Sequence, residues 1–297
     1  MYKIAVIGAG TMGNGIAHVF AQYGFSVQLI DLHVHQLEKA LLTISKNLDR
    51  QVQKGILSAE EKTNAFNLIH PIQHIKEGVR EADLIIEAAT ENENIKLQIF
   101  RDLDEHALPA AILASNTSSI SITRIAAITK RPSQVIGMHF MNPVPLMKLV
   151  EVINGYATAT FVTEKIIELS RQLGKTPCVV NDYPGFISNR ILMPMINEAI
   201  ISLQEGVASV EAIDTVMKMG MSHPMGPLQL ADFIGLDVCL AILKVLLEGF
   251  GNPKYAPASL LVNMVQAGNL GVKSGEGFYN YRSGSKELVV SDKLKRV

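Results

Sequence analysis

The sequence predicts an α/β domain built on a parallel sheet, joined to an all-helical C-terminal half. Three observations predict it. Short apolar runs bounded by turn residues alternate with helical periodicities from Tyr2 to Val180. The first run opens into a glycine-rich turn with a helical pattern behind it, and beyond Asn181-Asp-Tyr-Pro-Gly185 the periodicity is helical only. The boundary is placed near residue 182, giving domains 1–182 and 183–297, the first with a helical insertion at about 33–66.

The chain has 297 residues, enough for two ordinary domains, and at 48% hydrophobic and 19% charged it is neither disordered nor fibrous. Its 27 basic and 28 acidic side chains create no global field for nucleic acid or an anionic membrane, so any polyanionic ligand must be held by a local patch. No apolar run approaches the roughly 18 residues of a membrane span. Cys178 and Cys239 show neither disulfide nor metal-ligand spacing, and strand-like sequence from Tyr2 leaves no room for a leader. A cytoplasmic, metal-free protein is expected.

Tyr2 to Ile7 reads as a buried strand. Gly8-Ala9-Gly10-Thr11-Met12-Gly13 follows it, then a helical pattern to Gly24 and a second strand from Ser26 to Ile30 that ends at Asp31. This is a Rossmann-type dinucleotide fingerprint in its required context. Gly8 permits the tight turn, Gly10 lets a pyrophosphate approach the backbone, and Gly13 allows close packing of helix on strand. The helix N-terminus offers free N–H groups and a positive dipole to the phosphates. Asp31 suits the two hydroxyls of an adenosine ribose and would repel a 2′-phosphate, so NAD is expected rather than NADP.

A long amphipathic helix from His33 to Lys54 carries Leu37, Leu41, Ile44, Leu48 and Val52 on one face, with Lys39, Lys46, Arg50 and Lys54 opposite. That stripe reads equally as a solvated face or as a holder for a nucleotide diphosphate tail. Ser58-Ala-Glu-Glu61 is a capped helix start. Strands follow near Asn67 to Ile72, Asp83 to Glu87 and Ala111 to Ala114, the last opening into Ser115-Asn-Thr-Ser-Ser119. Strand C-termini of an open α/β sheet face the ligand crevice, so Glu91, Lys96 and these small polar residues are candidate contacts.

Gln134 to Met138 and Met147 to Ile153 read as two strands joined by a turn at Asn142-Pro-Val-Pro145. His139, at the end of the first, and Glu151, in the second, can then meet across the pair. A neutral imidazole accepts a proton near neutral pH, and a carboxylate on its other nitrogen fixes the tautomer. A helix from about Thr160 to Leu173 and a strand, Pro177 to Val180, complete the first half. The second half reads as helices over Phe186 to Gln204, Ser209 to Met219 and Leu228 to Phe250, then a glycine-rich loop at Gly271 to Tyr281. The apolar run Leu240 to Leu247 suggests burial against a second subunit.

Gly8 to Gly13, Ser115 to Ser119, His139-Phe-Met-Asn-Pro143 with Glu151, and Asp182-Tyr-Pro-Gly-Phe-Ile-Ser-Asn-Arg190 with Pro194 occur in an order that resembles the L-3-hydroxyacyl-CoA dehydrogenase family across nearly the whole chain. The resemblance implies an NAD enzyme that oxidises short-chain (S)-3-hydroxyacyl-CoA, such as 3-hydroxybutyryl-CoA, and dimerises through its helical domain. It implies His139 as base, Glu151 as its charge partner, and Ser118 and Asn189 as groups that hold the 3-hydroxyl and thioester end of the substrate. Asp31, Glu91, Lys96, Asn142 and Lys273 match cofactor-contacting positions, and Lys54 matches one near the CoA nucleotide. Two departures stand out: Asn47 replaces a serine often present on the long helix, and Met141 replaces an aromatic. A related NAD dehydrogenase of a sugar acid shares the nucleotide motif and histidine region and is the alternative.

Overall fold

In the computed structural model, which describes residues 2–282 and 288–294, the chain divides into two compact units, Met1–Tyr183 and Pro184–Val297. Unit one begins β1 (Lys3–Ile7), α1 (Thr11–Gln22), β2 (Ser26–Ile30), α2 (Val34–Gln53), α3 (Ala59–Asn67), β3 (Ile69–Ile72) and α4 (Ile75–Gly78). It continues β4 (Leu84–Glu87), α5 (Glu93–His106), β5 (Ile112–Ser115), α6 (Ile122–Ala127), β6 (Val135–Phe140), β7 (Leu149–Asn154), α7 (Thr160–Gln172) and β8 (Thr176–Asn181).

The strands form one sheet in the order β3-β2-β1-β4-β5-β6-β7-β8. All neighbours are parallel except β6 and β7, whose short connection makes an antiparallel pair. Ile4, Val6, Leu84 and Ile86 are fully buried because helices cover both faces of a parallel sheet. The order reverses between β1 and β4, and a ligand crevice opens beyond the carboxyl ends of such strands.

Local chemistry sets the helix boundaries. Ser58 Oγ accepts from Glu61 N at 3.1 Å while Glu61 Oε2 accepts from Ser58 N at 2.7 Å, closing a capping box on α3. Asn92 Oδ1 accepts from Ile95 N at 3.1 Å and starts α5. α2 buries Leu37, Ala40, Ile44 and Leu48, leaving its basic stripe exposed.

Unit two holds α8 (Ser188–Gln204), α9 (Val210–Thr215), α10 (Pro227–Ile234), α11 (Leu236–Phe250), α12 (Ser259–Gln266), β9 (Tyr279–Asn280) and β10 (Val289–Val290). Two expectations change here. The helix expected over Leu228 to Phe250 is broken at Gly235, whose φ of 101° no other residue adopts without strain. α9 passes into a π-helical turn, Val216–Gly220, instead of running on as α-helix. Within the apolar run Leu240 to Leu247, Leu240, Leu243 and Leu246 are buried in the unit's own core, while Ala241 is exposed and Val245 and Leu247 are half-buried. The paired strands β9 and β10 add a short ribbon to an otherwise helical unit.

Candidate active site

The Gly8–Gly13 turn links β1 to α1 at the switch point. A Cβ at Gly13 would lie 1.7 Å from the Gly8 carbonyl oxygen, whereas one at Gly10 would meet nothing within 4 Å. Gly13 is therefore needed for packing, and Gly10 leaves open space beside the turn. No side chain caps α1, so its first N–H groups carry no side-chain acceptor. Gly10, Thr11, Met12, Asp31, Ala88, Ala89 and Thr90 border a cavity of about 930 Å³. Asp31 Oδ2 accepts from Ala9 N at 2.9 Å and Oδ1 from His33 N at 3.0 Å. Each oxygen keeps a lone pair for a ribose hydroxyl. The residues present thus fit a dinucleotide: an uncapped helix end for its phosphates, a carboxylate for its ribose.

His139 and Glu151 are register partners in β6 and β7, so their side chains leave the same face of the sheet. Nδ1 of His139 lies 2.8 Å from Glu151 Oε2, with both residues buried. A carboxylate only accepts, so Nδ1 carries a proton, and in the neutral imidazole Nε2 then presents a lone pair. Asn116 Oδ1 accepts from Phe140 N at 2.8 Å and fixes the strand end next to the histidine. Lys175 Nζ donates to the carbonyls of Val144 and Met147 at 2.5 and 2.6 Å, tying down the connection between the two strands. Burial lowers its pKa below the usual lysine range.

Neither Asn116 nor Lys175 stood out in the sequence as a supporting residue. Their partners lie 24 to 31 residues away in the chain. Only the asparagine among small hydroxyl residues after β5 offered any signal.

Ser118 sits half-buried in the turn beyond β5, and Glu91 organises that turn. Glu91 Oε1 accepts from Thr117 Oγ1 (2.5 Å), Ser118 N (2.9 Å), Ser119 N (3.1 Å) and Ser119 Oγ (3.0 Å). Burial would raise the pKa of Glu91, but Lys96 and these donors outweigh it and hold the carboxyl below its ordinary range. Lys96 is 1% exposed, so its pairing is no surface salt bridge: Nζ lies 2.7 Å from Glu87 and 3.3 Å from Glu91.

Asn142 and Asn47 border a second cavity, about 300 Å³, together with Gly10, Lys39 and Thr43. Lys54 is exposed at the C-terminal cap of α2. Asn189 is buried in the first turn of α8, and Lys273 pairs with Asp237 at 2.6 Å; both belong to unit two.

Residues 3–183 match the family model described as 3-hydroxyacyl-CoA dehydrogenase, NAD binding domain, and residues 185–281 match 3-hydroxyacyl-CoA dehydrogenase, C-terminal domain. The chain is 55% identical over 282 residues to a 3-hydroxybutyryl-CoA dehydrogenase of Bradyrhizobium diazoefficiens, covering 94% of this chain and 95% of the relative. It is 53% identical to a probable 3-hydroxybutyryl-CoA dehydrogenase of Bacillus subtilis, covering 94% and 97%. The crystal structure of an (S)-3-hydroxybutyryl-CoA dehydrogenase from Ralstonia eutropha superposes with a TM-score of 0.92 at 47% identity, covering 95% and 99%. Two family models that together cover almost the whole chain, and relatives above half identity over at least 95% of their length, agree with the glycine turn and the histidine–glutamate pair: the chain belongs to the 3-hydroxyacyl-CoA dehydrogenase family.

Proposed function

We propose that this protein catalyses the reversible oxidation of short-chain (S)-3-hydroxyacyl-CoA, such as 3-hydroxybutyryl-CoA, to the 3-ketoacyl thioester with NAD. The observation that carries it is the buried His139–Glu151 pair at 2.8 Å in a chain whose relatives at 53 to 55% identity bear the name 3-hydroxybutyryl-CoA dehydrogenase.

His139 Nε2 removes the proton of the 3-hydroxyl, and Glu151 stabilises the imidazolium that forms. In the reverse direction the imidazolium returns that proton to the oxygen. When bound, NAD supplies the acceptor for the hydride that leaves C3. Ser118 and Asn189 orient the oxygens of the substrate, since alignment is where a hydride transfer gains most from its enzyme. Gly8 to Gly13 and Asp31 hold the phosphates and ribose of NAD, with Glu91, Lys96, Asn142 and Lys273 as further cofactor positions. Lys54 and the basic stripe of α2 hold the CoA nucleotide.

The homodimer is part of the same reading. Ile191, Met219 and Phe233 of unit two are 64%, 82% and 55% exposed, so apolar surface remains for a second copy of this unit. No helix among the described residues is long and apolar enough to cross a membrane; a cytoplasmic location is part of the proposal and is in keeping with the bacterial relatives.

The test is NADH consumption with acetoacetyl-CoA, run beside free acetoacetate and beside NADPH. Rapid loss of NADH absorbance with the thioester, and little with free acid or NADPH, is the expected result. Turnover of free acids with none of the thioester would move the assignment to a sugar-acid dehydrogenase.

A further inference from the structure

Glu87 ends β4 as a fully buried carboxylate after three fully buried aliphatic residues. An ionised side chain in that position is strongly disfavoured by lost hydration unless it is fully partnered. Here it is. Oε1 accepts from Ala89 N at 2.8 Å and Lys96 Nζ at 2.7 Å, and Oε2 from Lys96 Nζ at 2.9 Å and Ser115 Oγ at 2.7 Å. The carboxylate thus joins the ends of two strands to α5.

Burying an ion pair is a poor device for stability, because a well-packed apolar pair of similar volume often does as well or better. What this pair supplies is geometry. Two routes lead from it to the turn that carries Ser118. In one, Ser115 Oγ accepts from Thr117 N at 3.2 Å. In the other, Lys96 lies between Glu87 and Glu91, and Glu91 gathers the donors of Thr117, Ser118 and Ser119. The Glu91 side chain is 42% exposed and would have several orientations by itself. A lysine held at 1% exposure by Glu87 gives it one.

We propose that Glu87 is a positioning residue for the reaction: through Lys96 and Ser115 it holds the Thr117–Ser119 turn so that the Ser118 hydroxyl meets the substrate oxygen. The inference rests on the reading of Ser118 given above. Glu87 itself touches neither substrate nor reacting atoms.

A double-mutant cycle tests it, with turnover of acetoacetyl-CoA by NADH as the readout. Glu87→Gln keeps the size of the side chain and removes its charge, and it should lower kcat/KM about 10- to 100-fold, the scale of a roughly 1 Å misplacement of a contacting group. Added to Ser118→Ala, with NADH saturating so that weakened cofactor contacts at Glu91 and Lys96 do not register, the same change should cost no more than about threefold, because the group it positions is already gone. Ser115→Ala, which leaves no buried charge unpaired, should show the same masking on a smaller scale. It decides the matter if Glu87→Gln fails to fold. Equal losses from Glu87→Gln and Ser115→Ala with and without the Ser118 hydroxyl would mark a general structural role and overturn the proposal. An inert wild-type enzyme would instead remove the underlying reading, and the inference with it.

Discussion

Glu151→Gln isolates the charge of the histidine's partner while preserving its shape. The pair is buried, with Glu151 at 0% and His139 at 7% exposure, so salt and bulk water compensate little for the lost carboxylate. The glutamine oxygen can still accept from Nδ1–H across the 2.8 Å contact, which keeps tautomer and ring orientation. What disappears is the stabilisation of the imidazolium as the proton arrives. A hydrogen bond to a charged group contributes about 1.5–3 kcal/mol against about 1 for a neutral one. At 1.36 kcal/mol per tenfold in rate, the difference corresponds to a loss of roughly 2- to 30-fold in kcat.

His139→Gln, which removes the base, should lose on the order of 10²–10⁴. The assay is initial-rate NADH consumption with acetoacetyl-CoA at saturation, alongside thermal melts to show that both variants are folded. A Glu151→Gln enzyme with wild-type kcat would refute the argument, since the carboxylate would then be a packing partner and nothing more.

Two further outcomes follow from unit-level geometry. Gly10→Ala should melt like the wild type yet bind NADH poorly, as its Cβ meets no protein atom and Gly10 borders the dinucleotide cavity; Gly13→Ala, clashing with the Gly8 carbonyl, should lose about 1–3 kcal/mol of stability as well. NADH fluorescence titration and melting curves separate the two cases. Burial raises the pKa of Asp232 from 3.8 to about 6, against the lowering effect of its bonds from Tyr279 N, Phe278 N and Tyr281 Oη, with Asp214 nearby adding to the rise. Its folded value lies above the unfolded one. Its contribution is therefore fully present below 3.8, declines as pH rises through about 6, and is flat beyond. Urea titrations across that window should show a slope that Asp232→Asn reduces by on the order of 2–3 kcal/mol in total. An identical slope in the variant would show that Asp232 does not bind the proton.

The sequence by itself determined the features that arise from short-range pattern. Short continuous apolar runs bounded by turn residues mark strands buried on both faces, and the glycine turn is placed by the strand before it and the helix after it. Asp31 falls just beyond β2 because the apolar run stops at Ile30. The meeting of His139 and Glu151 was legible for the same reason: the two residues lie 12 apart on strands joined by one turn, and antiparallel register does the rest.

Only the tertiary structure decided the rest. The burial of Lys96 between Glu87 and Glu91, the gathering of Thr117, Ser118 and Ser119 around Glu91 from 26 to 28 residues away, and the anchoring by Lys175 of two distant carbonyls all join elements that no local spacing connects. The break at Gly235 belongs to the same class. It lets α10 end where Asp232 can accept from Phe278 N and Tyr279 N, 46 and 47 residues onward, each at 2.9 Å. Hydrophobic periodicity reports which face of an element is buried. It carries no information on which polar group another element will bring to it, and that pairing is settled only when the chain has closed its long loops.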